Sequence, residues 1–168
     1  IIIVSGDYAN YGLGDYYLPS STLTPSEPLT VVTPPDAVID AAEEYSLSAT
    51  DNSGAAISGS VYVGFDGSDV FIKGICSYLP DAWIKGTMEG TTVTFANGQY
   101  LGNYAGAYDM FFQYNRPDAV FTYDATAGTF TAQTEAIRVN NNQYYFDHYG
   151  SLILKKVVEV AATPATPS

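Results

Sequence analysis

Bases are scarce in this chain: six Lys and Arg stand against 18 Asp and Glu, a formal net charge of −12. So acidic a surface repels a phosphate backbone or an anionic lipid surface, which argues against nucleic acid and against direct membrane insertion. Cysteine is nearly missing too. Cys76 stands alone, so it has no partner for an intramolecular bridge and no second thiol for a zinc site, and it reads as a small buried hydrophobe. His148 is the only histidine. Nothing near it resembles a nucleophile elbow or a cysteine-protease signature, and the residue reads as an exposed tip in YFDHYG. No apolar run approaches the ~20 residues that span a bilayer. Charged residues make up only 14% of the chain, and strong helix formers such as Leu, Lys and Arg are few.

Tyrosine fills the gap. The chain carries 15 Tyr and is 46% hydrophobic, with polarity supplied by Thr, Ser, Asn and Gly. Aromatic and β-branched side chains suit a pleated surface, so the composition points to β-strands in a globular chain rather than to disorder.

Along the chain the organisation falls into four parts. Residues 1–18 read as short N-terminal strands, in the place where a preceding module would end. Residues 19–40 read as a connector, because Pro19–Asp36 holds five of the nine prolines and proline lacks the donor that a sheet ladder needs. Residues 41–158 read as a β module, and 159–168, which ends in the run VAATPATPS, as a second linker of the kind that joins extracellular modules. The start at Ile1 without Met is the start that a removed export signal, a lipid anchor or a longer parent protein would leave.

Within the β module, GSVYVGF and DVFIKGI flank a turn at Asp66–Gly67, and AWIKGTM and TTVTF flank one at Glu89–Gly90. A third hairpin turns near Asp124–Gly128, and QYYFD and SLILKK close the module as two further strands. Alternation assigns Val61, Val63, Val70, Ile72, Ile84, Val93, Phe95, Phe121, Leu152 and Leu154 to the core. DAVIDAAEEY, from Asp36 to Tyr45, is the one helical candidate, good for a turn or two. Roughly eight or nine short strands joined by tight turns make an all-β antiparallel meander, which closes as a lipocalin-like barrel or folds into a sandwich.

The stretches GFDGSDVFIKG and LPDAWIKGT, with VFTYDATAGTFTA after them, resemble a β module of secreted, often lipid-anchored multidomain surface proteins of gut Bacteroidota. The resemblance covers about Glu44 to Lys156. It implies export, a cell-surface setting and neighbouring modules of the same chain as partners, and it carries no catalytic or ligand residues.

No enzyme is expected. Asp66, Glu89 and Asp124 sit where hairpins want a polar residue for backbone reasons, and the DGSD cluster at Asp66–Asp69 lacks EF-hand spacing, so no metal and no cofactor is implied. The aromatics say more. The phase that buries Ile84 and Met88 sets Trp83, the only tryptophan, on the opposite face. There it either stacks with a ligand, in company with Tyr78, Tyr100, Tyr104 and Tyr108, or packs a second core. The expected function is a non-catalytic adhesion or spacer module. The alternatives are a carbohydrate-binding module using those aromatics, and a barrel holding a small apolar ligand, which requires an open apolar interior.

Overall fold

The computed structural model describes residues 29–158. The strands expected in 1–18, the expected connector as far as residue 28 and the linker expected in 159–168 lie outside the described residues. Leu29–Pro35 carries no strand, and Asp36–Ala41 forms α1, a helix of six residues. The helix stops short of the Asp36–Tyr45 candidate because Glu43 onward joins the sheet. Eleven strands follow: β1 Glu43–Thr50, β2 Ala56–Asp66, β3 Asp69–Lys73, β4 Trp83–Glu89, β5 Thr92–Phe95, β6 Gln99–Tyr104, β7 Tyr108–Phe112, β8 Ala119–Asp124, β9 Thr129–Ala132, β10 Ala136–Asn140 and β11 Tyr145–Lys156.

Pairing closes eight of them into an antiparallel barrel, in the order β9, β8, β5, β4, β3, β2, β1, β11 and back to β9. The barrel, not the sandwich, is therefore the architecture. The other three strands prolong its lines: β10 lies beside β11 beyond β9, β7 pairs with β10, and β6 pairs with β7. The count of eleven exceeds the expected eight or nine because β1 and β6 add two strands outside the expected segments and TFTAQTEAIRV breaks into β9 and β10. In the other direction, QYYFD and SLILKK fuse into the single twelve-residue β11.

Interrupted strands leave backbone groups without ladder partners, and buried ones must be satisfied some other way. Side-chain amides do it. Gln99 Oε1 accepts from the Lys85 N–H at 2.8 Å while its Nε2 donates to the Lys85 carbonyl at 2.9 Å, so one side chain stands in for a peptide unit between β4 and β6. Asn140 does the same for Tyr114, accepting its N–H and donating to its carbonyl, both at 3.0 Å. Gln113, fully buried, accepts from the Arg138 N–H at 2.6 Å and donates to the Pro117 carbonyl at 2.8 Å.

All ten core positions assigned from alternation are buried, at no more than 1% exposure. The barrel is solid: Phe95, Phe112, Phe121 and Phe130 meet at 5.6–6.4 Å between ring centroids and fill it with Met110, Ile137 and Leu152. Gly86 is part of that fit, because a Cβ there would sit 2.7 Å from the Phe95 ring. The hairpin turns use glycine as expected but one position later, with Gly67 (φ 60°) and Gly90 (φ 64°) each taking the first of two loop positions after the paired Asp66 and Glu89. Outward positions such as Ser46, Ser48, Ser60, Lys85 and Thr87 are polar and exposed, the inverse of a lipid-facing barrel wall.

Trp83 does project away from Ile84, but not into solvent. It is only 8% exposed, in a second small core with Val38 of α1 and Phe71, against which Val32 also packs. Gly64 makes the close approach possible, since a Cβ at this position would lie 2.6 Å from Val38 Cγ1. The apolar helix face and the apolar sheet patch are mutually satisfied, which removes Trp83 from the ligand platform.

Candidate functional site

In an up-and-down barrel alternate connections gather at one end. The loops 51–55, 74–82, 105–107 and 141–144 share one end, the mouth, and 67–68, 90–91 and 125–128 share the other. The far end is closed by stacked rings, with Tyr123 4.6 Å and Phe65 6.3 Å from Phe130. Phe65, in phase with Val61 and Val63 along β2, reaches the end of the barrel and is partly exposed.

At the mouth, the 74–82 loop folds inward. Ile75 and Cys76 are buried, the Tyr149 hydroxyl donates to the Ile75 carbonyl at 2.6 Å, and Ser77 donates its N–H and its hydroxyl to Asp147 at 2.8 and 2.7 Å. Burial pushes the Cys76 thiol up to about 11, which keeps it protonated and unreactive at neutral pH. Cys76 is the small buried hydrophobe it was expected to be.

Three of the four mouth loops and their flanks contribute aromatics. Tyr78 meets Tyr104 at 5.2 Å and Phe146 at 5.6 Å, both edge to face. Tyr108 meets Phe146 at 5.9 Å and Tyr144 at 5.7 Å. The four tyrosines are 37–50% exposed although each touches another ring. Tyr78, Tyr104 and Tyr108 therefore come together as an aromatic rim, joined by Tyr144 and Phe146. Sequence reading missed those two because their strand register depends on a β-bulge between Val139 and Asn140, opposite Phe146. Tyr100 does not join the rim: it packs on Phe111 at 5.3 Å, and its hydroxyl donates to Asp109 at 2.9 Å.

Beside the rim lies a cleft of about 520 Å³, with Leu47, Ile57 and Phe146 as apolar lining and Ser58, Ser60, Ser77, Asp51, Asp147 and His148 as polar lining. No Lys or Arg lines it. Asp51 Oδ1 collects the N–H groups of Ser53 and Ala55 and the Ser53 hydroxyl, which holds the carboxyl below its ordinary range. His148 is not a tip residue. It lies within β11, half-buried and paired with Arg138, because β11 runs unbroken through YFDHYG.

The interior that an apolar ligand would need is filled by the phenylalanines. Among the described residues no group of three or more His, Cys, Asp or Glu side chains is placed to hold a metal ion, and no helix is long and apolar enough to cross a membrane. No protein-family model matches this chain, and comparison with curated proteins and with solved structures returns no match.

Proposed function

We propose that this chain is a non-catalytic binding module of a secreted or cell-surface protein, acting in adhesion, and that it holds a saccharide on the aromatic rim at the barrel mouth. The observation that carries the reading is the rim itself. Four tyrosines and Phe146 from separate loops and strand ends form one continuous ring surface that stays open to solvent. Tyrosine supplies a large, rigid contact area at low conformational-entropy cost, and its hydroxyl serves a polyol as donor or acceptor. The neighbouring cleft adds serine hydroxyls and carboxylates as hydrogen-bonding groups for sugar hydroxyls.

A glycan array probed with the labelled protein, followed by calorimetry on the hits, tests the reading. Tyr104→Ala and Tyr108→Ala should each weaken binding by about 1–2 kcal/mol. Their unfolding free energy should fall by about 1 kcal/mol, the scale of a lost edge-to-face ring contact, with the fold retained. Glycan binding that survives both substitutions would refute the rim as the contact surface, and an array with no hits would refute the saccharide.

A further inference from the structure

Both arginines and the only histidine of this acidic chain lie on one patch of the outer barrel wall. Arg138 on β10 is paired directly with His148 on β11, and opposed residues hold their Cβ atoms about 5 Å apart on the same face. The Arg138 guanidinium sits 4.2 Å over the Tyr145 ring. Arg116, in the break between β7 and β8, donates to the Ala136 carbonyl at 3.2 Å and to Gln113 Oε1 at 3.4 Å, which anchors it next to β10. Burial first, and then the neighbouring Arg138 charge, lower the Arg116 pKa.

Among the described residues neither arginine is in an ion pair: the pairs present are Lys85 with Asp69 and Lys156 with Glu43. Among the described residues the buried side-chain atoms left without a hydrogen-bond partner are Arg138 Nε and His148 Nδ1, one on each member of the same cross-strand pair. Asp51 and Asp147 line a groove with Tyr145 and His148, but Ser53 and Ala55 engage the first and Ser77 the second. Placing two guanidinium groups together costs Coulomb energy that an oxyanion between them would offset. An arginine presents Nε–H together with a terminal N–H as a fork for such a group, and Nε–H of Arg138 is the donor left over.

We propose that Arg116, Arg138 and His148 form an oxyanion-binding site that takes a carboxylate or sulfate group. The ligand bearing it has low charge elsewhere, because the net charge of −12 repels a polyanion before contact. This site stands apart from the rim reading.

The test is an amide-resolved NMR titration of the full chain with methyl glucuronide, methyl glucoside and sodium sulfate, against chloride at matched ionic strength. Saturable shifts on β10 and β11 with glucuronide or sulfate, and none there with glucoside, support the site. Which of the two anions binds tells whether carboxylate or sulfate is the group recognised. Arg138→Gln and Arg116→Gln should each weaken that binding at least about tenfold, the scale of a lost charge-assisted bond. If Arg138→Gln fails to fold, Arg116→Gln and His148→Gln carry the test. A response to chloride equal to that of both anions, or unchanged affinity in the folded variants, would overturn the proposal. Tyr104→Ala should leave the anion response intact, so the two binding readings fail separately.

Discussion

Replacing Trp83 by alanine separates two roles that the residue pattern alone leaves open. The indole is 8% exposed beneath α1, and it shares its cluster with Val38 and Phe71. A buried aromatic removes about 150–250 Å² from water, which at ~25 cal/mol per Å² is about 4–6 kcal/mol as an upper bound. Truncations of core Trp or Phe to Ala cost about 3–5 kcal/mol. The lower end applies to Trp83, because the cluster is a thin layer and a helix of only six residues can settle toward the sheet as the cavity opens. The expected loss is therefore about 3 kcal/mol, with a fall in Tm of about 10–15 °C for a unit of this size. Urea unfolding of the variant and of the wild type, followed by far-ultraviolet circular dichroism, measures it. The double variant with Val38→Ala should be less destabilised than the sum of the two singles, since the side chains share one cavity. A loss below about 1 kcal/mol with the barrel intact would refute the covered-face argument and return Trp83 to the surface.

Gln113→Leu leaves the Arg138 N–H and the Pro117 carbonyl without partners in a buried place, so chemical denaturation should show a loss of about 2–4 kcal/mol, and a variant as stable as the wild type would mean that water reaches the break. Burial raises the pKa of Cys76, Tyr45 and Tyr149 above the ordinary values of 9.0 for the thiol and 10.0 for the phenols. The folded state then holds protons that the unfolded chain has released, so stability should be level below about pH 9 and fall as pH rises through 9 to 11, as read from urea midpoints. The Cys76 thiol should react with an aromatic disulfide reagent only as fast as the mouth loop or the whole barrel opens, and labelling at the rate of a free thiol would contradict its burial.

Much of the barrel is legible in the residue order because strands impose a period of two that apolar residues must follow. Val61, Val63, Val70, Ile72, Val93 and Phe121 are found inside on that ground alone, and Asp124 takes its turn role from its own chemistry, its Oδ1 accepting the N–H groups of Thr126 and Ala127. The strand breaks are another matter. A glutamine or asparagine replaces a peptide unit only when two distant backbone segments are already at the right separation, so Gln99, Gln113 and Asn140 look like ordinary polar residues until the sheet is closed. The same holds for the sites. Period and composition place Trp83 opposite Ile84 and mark the tyrosines as the informative residues, which are local properties of one strand or loop. Whether that opposite face is wet depends on α1, about 45 residues earlier in the chain. The rim depends on loops that the antiparallel pairing of distant strands brings to one end, and the pairing of Arg138 with His148, with Arg116 anchored beside them, depends on how β7, β10 and β11 align. Burial by distant segments and convergence of separate loops are long-range contacts, and a single strand's pattern carries no record of what packs against it.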